Sequence, residues 1–386
     1  GGDLFAQTWD PGKGQVMALN GSGRSGERVT IDAYRAQKWD EIQPRGPLAA
    51  NTVPGVVSAW WELHQRHGKL DWQRLFEPAI RYAEEGFPIS PKFRDYITEY
   101  ADTLRQYDTT AAIYLPGGHA PRAGSMFRQG DLAQSLRQVA GNGVDGFYRG
   151  ELAQRIVRGL QQAGGLLTED DFASHTSDWV EPLRTTYKGY EVTELPPNTQ
   201  GIAALMILNL LAEHGLEGIA EGSADYYHLM TEATKLAFAD RDQWVTDPTT
   251  VDIPYDRLLA KQYAAQRLRR IDMQRARPPD AVEPGLGRPA AHAAAGGDTV
   301  YMAAVDDDGL AVSLIQSVYF EFGSAFVPEG TGVLLQNRGS FFQLDPEHPN
   351  ALAPRKRTFH TIIPAMALQE GKPALLFGTM GGEGQP

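Results

Sequence analysis

The spacing of apolar and polar residues changes twice along the chain. Residues 1–20 contain two short apolar segments, LFAQTW and QVMAL, joined by the turn-forming DPGKG, and this pattern predicts a β-hairpin. From residue 51 to about residue 272 the spacing is mainly helical, and from Thr299 onwards it is mainly that of strands. The pattern therefore predicts an α/β protein with a helix-rich first part and a strand-rich second part.

Helices are predicted where the apolar spacing is flanked by start and stop signals. VVSAWWELHQRHG begins after Pro54 and Gly55, and DWQRLFEPAIRYAEEG ends on Gly86. Further predicted helices are LAQSLRQVAG, GELAQRIVRGLQQAGG, DYYHLMTEATKLAFADRDQW and YDRLLAKQYAAQRLRRID. Thr168 and Asp171 in TEDDFASH have the spacing of a capping box. GIAALMILNLLAEHG is apolar on most faces, so we expect it to be buried between layers.

Strands are predicted in PLRTTYKGYEVTEL and, after a linker, in TVYMAAV, LAVSLIQSVYF, GVLLQN, TFHTIIPAMAL and PALLFG. The linker covers residues 275–298, where Pro, Gly and Ala dominate and Val282 and Leu286 are the only sizeable aliphatic residues. Such a segment cannot hold itself folded. It is either an interdomain linker or a flexible segment in front of a processing site.

Composition and charge exclude several classes of function. The 386 residues are 42% hydrophobic and 22% charged, which is typical of a globular protein. The net charge of -12, without a concentrated run of Lys or Arg, argues against nucleic-acid and membrane partners. No window approaches the roughly 18 apolar residues of a membrane span. The absence of cysteine excludes disulfides and a thiol nucleophile, and it gives no clue to the redox compartment. The compartment stays open, and we favour the cytoplasm over the periplasm or secretion.

The two ends of the sequence indicate that the chain is truncated. It opens inside an apparent strand, GGDLFAQTW, and stops at GGEGQP, just after another strand. An α/β unit would usually continue from there into a helix. We therefore expect part of the fold to lie outside this sequence.

The position of Thr299 suggests a nucleophile. A threonine hydroxyl is a poor nucleophile unless a base lies beside it, and a free α-amino group on the same residue is such a base. Its reference pKa of about 7.7–8.0 leaves a useful neutral fraction near pH 8. Exposing that amine requires cleavage of the Asp298–Thr299 peptide bond, and the linker would then become the free end of the first fragment.

Several segments resemble the γ-glutamyltransferase family of N-terminal nucleophile hydrolases. AVSLIQS, FGSAFVPEGTGVLLQNRG, LAPRKRTFHTIIPAM and FGTMGGEGQP are similar to its small subunit. GGDLFA, VPGVVSAWWELHQRHGKLDW, AIRYAEEGFPIS and YKGYEVTELPPNTQGIAALMILNLL are similar to its large subunit. The similarity covers nearly the whole chain in the expected order, and it is closer to the γ-glutamyltransferase-like and cephalosporin-acylase-like branch.

The resemblance implies catalytic positions. Thr299 matches the autoprocessing threonine that becomes the nucleophile, so Asp298 and Thr299 flank the implied cleavage site. Ser317 matches a hydroxyl residue that hydrogen-bonds the nucleophile. Gly381 and Gly382 match the glycine pair of the oxyanion site, and glycines let backbone N–H groups approach a reacting carbonyl closely.

The positions that would recognise glutamate depart from the family pattern. The family's arginine after the first hairpin falls on Ser22, with Arg24 two residues later, and its asparagine falls on Tyr319. Its acidic residue for the substrate amine falls on Phe341. Its tandem serines fall on His360 and Thr361.

These departures predict an altered acyl site rather than loss of the reaction. Arg24 and Arg338 are the only basic residues in LNGSGRSG and QNRGSFF, so we expect at least one of them to bind a substrate carboxylate. Because Phe341 stands where the family has its acidic residue, the substrate amine would lose its usual contact.

Other motifs are more simply explained by ordinary structure. GSGRSG lacks the Lys-Ser/Thr ending and the strand-to-helix setting of a phosphate loop. His64 and His67 lack a third ligand pattern, and DDDG between two strands is more simply a hairpin turn than a calcium site. We therefore expect neither a metal nor a cofactor.

Together, the resemblance implies a four-layer αββα sandwich of the N-terminal nucleophile hydrolase type. Residues 1–298 would form the large-subunit part and residues 299–386 the start of the small subunit, both contributing to one interleaved domain. The implied activity is that of an amide hydrolase or acyltransferase for a small γ-glutamyl or related acyl amide. An acylase for a non-γ-glutamyl amide and an unprocessed, non-catalytic binding protein remain alternatives, and a homo-oligomer stays open.

Overall fold

The computed structural model describes residues 1–287 and 298–386, with Asp298 described through its backbone alone. The strands are β1 (Asp3–Asp10), β2 (Gln15–Gly21), β3 (Phe87–Pro88), β4 (Met126–Phe127), β5 (Asp178–Val180), β6 (Leu183–Tyr187), β7 (Tyr190–Glu194), β8 (Asp298–Val305), β9 (Ala311–Tyr319), β10 (Ala365–Gln369) and β11 (Lys372–Phe377). The helices are α1 (Ile31–Arg35), α2 (Val56–His67), α3 (Trp72–Glu85), α4 (Pro91–Glu99), α5 (Ala101–Leu104), α6 (Asp108–Tyr114), α7 (Gly130–Asn142), α8 (Asp145–Tyr148), α9 (Glu151–Gln162), α10 (Glu169–Ala173), α11 (Gly201–His214), α12 (Ala224–Trp244), α13 (Tyr255–Leu258) and α14 (Lys261–Leu268). Short 3-10 turns lie at Pro116–Gly118, Pro279–Ala281, Arg338–Phe341 and Gly382–Gly384.

The first sheet combines strands from distant parts of the sequence. Its described strands lie in the order β5-β2-β1-β9-β8. β1 pairs antiparallel with β2 on one side, as the predicted hairpin requires, and with β9 on the other. β9 also pairs antiparallel with β8. Strands on both sides of the linker therefore build one sheet.

The second sheet has the described strand order β11-β10-β7-β6, and its neighbouring strands pair antiparallel. β6 and β7 form the strand pair predicted in PLRTTYKGYEVTEL. The two sheets pack face to face. Phe5 of β1 and Ile315 of β9 form a buried cluster with Ile362, and Trp9 packs with Met366 of β10.

Helices cover the outer face of each sheet. Ala59 of α2 belongs to the same buried cluster as Leu4 and Leu19 of the first sheet. On the opposite side, Leu205 of α11 packs with Val192 and Ala367 of the second sheet. α11 lies between this sheet and α12, which explains why apolar residues occupy most of its faces. The expected four-layer αββα sandwich is confirmed.

Most of the predicted helices are present within a few residues of their expected ends, but one prediction was wrong. YDRLLAKQYAAQRLRRID forms two helices, α13 and α14, because Ala260 adopts an extended backbone with ψ 132°. This break lets Leu258, Tyr263 and Ala264 all enter the buried cluster beneath α11 and α12. The capping box at α10 is confirmed, with both Thr168–Asp171 hydrogen bonds in place.

Two predicted strands are shorter or absent in the described residues. GVLLQN forms no strand, because Leu335 hydrogen-bonds with Ser324 and Phe326 of a neighbouring loop instead of a ladder. In TFHTIIPAMAL the strand covers β10 only, and the preceding residues run irregularly past Asn198 and Gln200. These irregular segments carry several of the predicted site residues.

The described part of the predicted linker rests on α12. Trp244 Nε1 donates to the Leu286 carbonyl at 3.1 Å, and the Gly285 N–H donates to Asp240 Oδ1 at 2.7 Å. Residues 288–297 of the predicted linker lie outside the described residues. Within residues 1–287 and 298–386, no helix combines the length and the apolarity needed to cross a membrane.

Candidate active site

Three polar residues lie side by side across the end of the first sheet. Thr299 of β8 is directly opposite Ser317 of β9, and Ser317 is directly opposite Asp3 of β1. Directly opposed residues of antiparallel strands project to the same face. Thr299 is only 5% exposed, and a cavity of about 220 Å³ is lined in part by Asp3, Trp60, Thr299 and Ser317. The register thus places a buried hydroxyl pair beside a space that a small molecule can enter.

Ser317 is the centre of the hydrogen bonds around Thr299. Thr299 Oγ1 donates to Ser317 Oγ at 3.3 Å. Ser317 Oγ also accepts from the Tyr319 N–H at 2.8 Å and from Arg338 Nη2 at 3.3 Å. Tyr319 has φ +82°, a region that is costly for a residue with a side chain. This turn in the backbone directs the Tyr319 N–H back onto Ser317.

Arg338 brings a buried positive charge to the hydroxyl pair. It is 1% exposed, its Nη1 donates to Thr361 Oγ1 at 2.9 Å, and its guanidinium lies 4.2 Å from the centre of the Tyr319 ring. Burial lowers the pKa of Arg338 to about 10, so it stays charged at neutral pH. Among the described side chains, no carboxylate lies within ion-pair distance of it, and its Nε has no hydrogen-bond partner. Asp3 interacts with Arg338 electrostatically without forming a direct ion pair.

Asp3 and His360 form a second buried polar pair. His360 Nε2 lies 3.2 Å from Asp3 Oδ2. Burial, together with the nearby Arg338 charge, lowers the pKa of His360 to about 3, so the ring is neutral. Burial alone would raise the pKa of Asp3, but the hydrogen bonds from His360, Gly55 and Gln336 outweigh it and lower the pKa. His360 is thus a neutral donor to a carboxylate.

The glycine pair forms a turn with unused N–H groups. Gly381 has φ +133° and Gly382 has φ +58°, both in the region where glycine is favoured. Neither N–H donates to an acceptor within the part of the chain that the structure describes. The Gly382 carbonyl accepts from Gln200 Nε2 at 3.1 Å, and the same amide donates to the Thr361 carbonyl at 2.8 Å. A chain of hydrogen bonds therefore links this turn through Thr361 and Arg338 to Ser317.

The remaining predicted residues lie in different surroundings. Arg24 forms ion pairs with Asp247 at 3.0 Å and with Asp178 at 3.6 Å, so its charge is already compensated. Phe341 is buried and stacks on the Tyr319 ring, with the two ring centres 4.5 Å apart. Asp298 pairs through its backbone with Tyr319, while its side chain lies outside the description.

Sequence reasoning missed several residues that contact this site. Asp3, Gln200, Arg241 and Glu383 are polar residues held in buried or half-buried positions around the hydroxyl pair and the glycine turn. An acidic residue at the start of an otherwise apolar first strand was one available signal. The described residues contain no group of three or more His, Cys, Asp or Glu side chains that could hold a metal ion.

Comparisons with known proteins agree on one family. The model of the gamma-glutamyltranspeptidase family matches residues 1–386. A glutathione hydrolase-like proenzyme of Bacillus subtilis is 46% identical over 386 residues, covering 100% of this chain and 71% of that protein. The oxamate amidohydrolase proenzyme of Klebsiella pneumoniae is 39% identical over 392 residues, covering 100% of this chain and 71% of that protein.

A solved structure has the same fold over the whole chain. The crystal structure of a cephalosporin acylase from Bacillus halodurans superposes with a TM-score of 0.91 at 40% identity. The superposition covers 100% of this chain and 70% of that one.

Proposed function

The chain belongs to the gamma-glutamyltranspeptidase family and is an amide-hydrolysing enzyme, and we propose that it processes itself and uses Thr299 as its nucleophile. The observation that carries the proposal is the 3.3 Å contact between Thr299 Oγ1 and Ser317 Oγ at the beginning of β8. The names of several relatives as proenzymes support a processing step. Cleavage before Thr299 would yield a large-subunit part, residues 1–298, and a small-subunit part that begins with Thr299.

The first chemical step needs a base beside the hydroxyl. Cleavage of the Asp298–Thr299 bond frees the α-amine of Thr299, which accepts the hydroxyl proton as Oγ1 attacks the amide carbon. The amine of the substrate leaves with a proton, and the acyl group remains on Oγ1 as an ester. Water or an amine acceptor then attacks this ester, which releases the acid or a new amide and restores the hydroxyl. Ser317 holds Oγ1 in place throughout.

The negative charge of the tetrahedral intermediate needs donors. The unused N–H groups of Gly381 and Gly382 support their assignment as the oxyanion site. Donors that are fixed before the reaction stabilise the developing charge without reorganisation. The glycines are suited to this because their positive φ angles are accessible at low cost.

The acyl group should carry a carboxylate but need no amine. Arg338 offers a buried charge without a carboxylate partner among the described side chains, two hydrogen bonds away from Thr299 Oγ1. Phe341 presents an aromatic ring where the family has an acidic residue, so an ammonium group would find no partner there. Two relatives, named as an oxamate amidohydrolase and a cephalosporin acylase, support an acyl group other than γ-glutamyl. Arg24 is the weaker candidate for the carboxylate, because Asp247 and Asp178 already pair with it.

Intact mass of the purified full-length protein tests the proposal. We expect wild type to appear as two fragments that meet at Asp298 and Thr299, and Thr299→Ala to remain one inactive chain. Thr299→Ser keeps a hydroxyl and should process more slowly. Thr331→Ala is a matched control, because Thr331 is also a buried threonine in the second part of the chain and should not affect cleavage. Cleavage of Thr299→Ala at the same bond would show that the reaction is not autocatalytic. A wild-type protein that remains one chain would favour the alternative of an unprocessed, non-catalytic binding protein.

A further inference from the structure

The turn at Gly381–Glu383 is held by a buried amide from the first part of the chain. Gln200, the residue before α11, is fully buried. Its Nε2 donates both hydrogens, one to the Gly382 carbonyl at 3.1 Å and one to the Thr361 carbonyl at 2.8 Å. Because a peptide unit is planar, fixing the Gly382 carbonyl also fixes the direction of the Glu383 N–H, the amide directly after the two proposed donors. One amide therefore restrains the backbone of the turn.

Arg241 determines which way the Gln200 amide faces. Arg241 Nη1 donates to Gln200 Oε1 at 2.9 Å. A guanidinium has donors only, so the oxygen of the amide must face Arg241 and the nitrogen must face the two carbonyls. A flipped amide would set donors against donors on one side and acceptors against acceptors on the other. The orientation of Gln200 follows from Arg241.

Arg241 also contacts the turn itself. Its Nη2 donates to Glu383 Oε2 at 2.9 Å, and its Nε donates to Asp242 Oδ1 at 2.8 Å. The guanidinium lies over the Phe238 ring at 3.8 Å, and the Arg241 side chain is 2% exposed. With partners on Nη1, Nη2 and Nε and a ring beneath it, Arg241 has one orientation. Glu383 is thereby tied directly to α12, and the Gly382 carbonyl is tied to α12 through Gln200.

We propose that Arg241 and Gln200 are positioning residues that hold the Gly381–Glu383 turn in register with Thr299. The inference rests on the proposed function, since it assumes that the turn supplies the oxyanion donors. Gln200 and Arg241 precede the linker, whereas the turn follows Thr299. After cleavage the large-subunit part thus continues to fix the oxyanion site of the small-subunit part. Misplacing a reacting group by about 1 Å can lower the rate about 100-fold, so a loosened turn should affect turnover more than substrate binding.

Arg241→Lys tests this in processed full-length protein with glutaryl-p-nitroanilide as substrate. Lysine keeps the charge, but its single ammonium nitrogen cannot reproduce the contacts that Nη1, Nη2 and Nε make with Gln200, Glu383 and Asp242. We expect kcat to fall by at least about tenfold, as for a weakened oxyanion donor, with KM within about threefold of wild type. Rates are normalised to the cleaved fraction measured by intact mass.

Arg267→Lys is the matched control. Arg267 is a similarly buried arginine on α14 that pairs with Asp240 at 3.2 Å and does not contact the turn. Arg267→Lys should lose about as much thermal stability as Arg241→Lys, while its kcat stays within about twofold of wild type. Equal losses of kcat in the two variants would assign Arg241 a structural role only and overturn the proposal.

A second variant keeps the test open if Arg241→Lys does not fold. Glu383→Gln retains an acceptor for Arg241 but removes the charge, and we expect kcat to fall about three- to tenfold with little change in KM. A kcat within about twofold of wild type in the variant that folds would overturn the proposal. Thr299→Ala separates the two levels of inference. Turnover by Thr299→Ala would refute the proposed nucleophile, whereas an inactive Thr299→Ala beside an unaffected Arg241→Lys would refute only the positioning role.

Discussion

The carboxylate site at Arg338 can be tested by changing the enzyme and the substrate together. Arg338→Met removes the charge and keeps a side chain of similar length in the space between Ser317, Thr361 and the Tyr319 ring. The matched substrates are glutaryl-p-nitroanilide, which ends in a carboxylate, and butyryl-p-nitroanilide, which does not. A substrate carboxylate bound to a buried guanidinium should contribute a charged hydrogen bond, worth about 1.5–3 kcal/mol.

The expected effects differ between the two substrates. Arg338→Met also removes the donors that Arg338 gives to Ser317 and Thr361, and this loss affects both substrates equally. The loss specific to the carboxylate should lower kcat/KM for the glutaryl substrate by a further factor of about 10–200, since 1.36 kcal/mol corresponds to tenfold. Dividing the loss of kcat/KM for the glutaryl substrate by the loss for the butyryl substrate cancels the shared effect. The quotient measures the coupling between the guanidinium and the carboxylate.

Arg24, the other candidate for the carboxylate, provides the control. Arg24→Met should change kcat/KM for both substrates by the same factor, because Asp247 and Asp178 already neutralise Arg24. A coupling below about 0.5 kcal/mol for Arg338, which is within the usual error of such cycles, would refute carboxylate binding there. A large coupling for Arg24 instead would indicate that the substrate carboxylate binds Arg24, in the loop after β2.

Three further predictions concern the oxyanion turn, the acyl preference and the buried histidine. Gly382→Pro deletes one N–H donor and cannot keep the φ of +58°, so kcat should fall by at least about 10²-fold in folded, processed enzyme; a kcat within about threefold of wild type would remove Gly382 from the catalytic residues. Because Phe341 replaces an acidic residue, kcat/KM for a glutaryl anilide should match or exceed that for the γ-glutamyl anilide; a preference of more than about tenfold for γ-glutamyl would contradict this. The pKa of His360 lies at about 3 in the folded protein, below its unfolded value of about 6.5, so the unfolded state binds more protons between these pH values. The free energy of unfolding should therefore decrease as pH falls from about 6.5 towards 3, and His360→Gln should make the decrease shallower in urea titrations; an unchanged slope would contradict the assigned pKa.

Local patterns in the sequence were enough to predict most of the elements. The β1–β2 hairpin, helices such as α2 and α9, and the capping box of α10 depend on neighbours within a few residues, so apolar spacing and turn residues specify them. The same holds for Thr299 at the beginning of a strand behind a Pro-, Gly- and Ala-rich segment. The resemblance to a family added the four-layer arrangement and the candidate residues.

Tertiary structure decided which polar groups meet and which are already paired. Arg24 and Arg338 were equivalent candidates in the sequence, but folding places Asp247 beside Arg24 and leaves Arg338 without a carboxylate partner among the described side chains. Phe341, expected at the substrate amine, stacks on Tyr319.

The sequence also could not predict the hydrogen bonds that hold the glycine turn or the break between α13 and α14. Arg241 meets Gln200 and Glu383, which lie 41 and 142 residues away along the chain. The break at Ala260 lies where residues of α13 and α14 pack into one buried cluster with α11 and α12. Such partners are chosen by how sheets and helices pack, and burial makes each unpaired polar group costly, so the choice is made by the whole fold rather than by any local stretch of sequence.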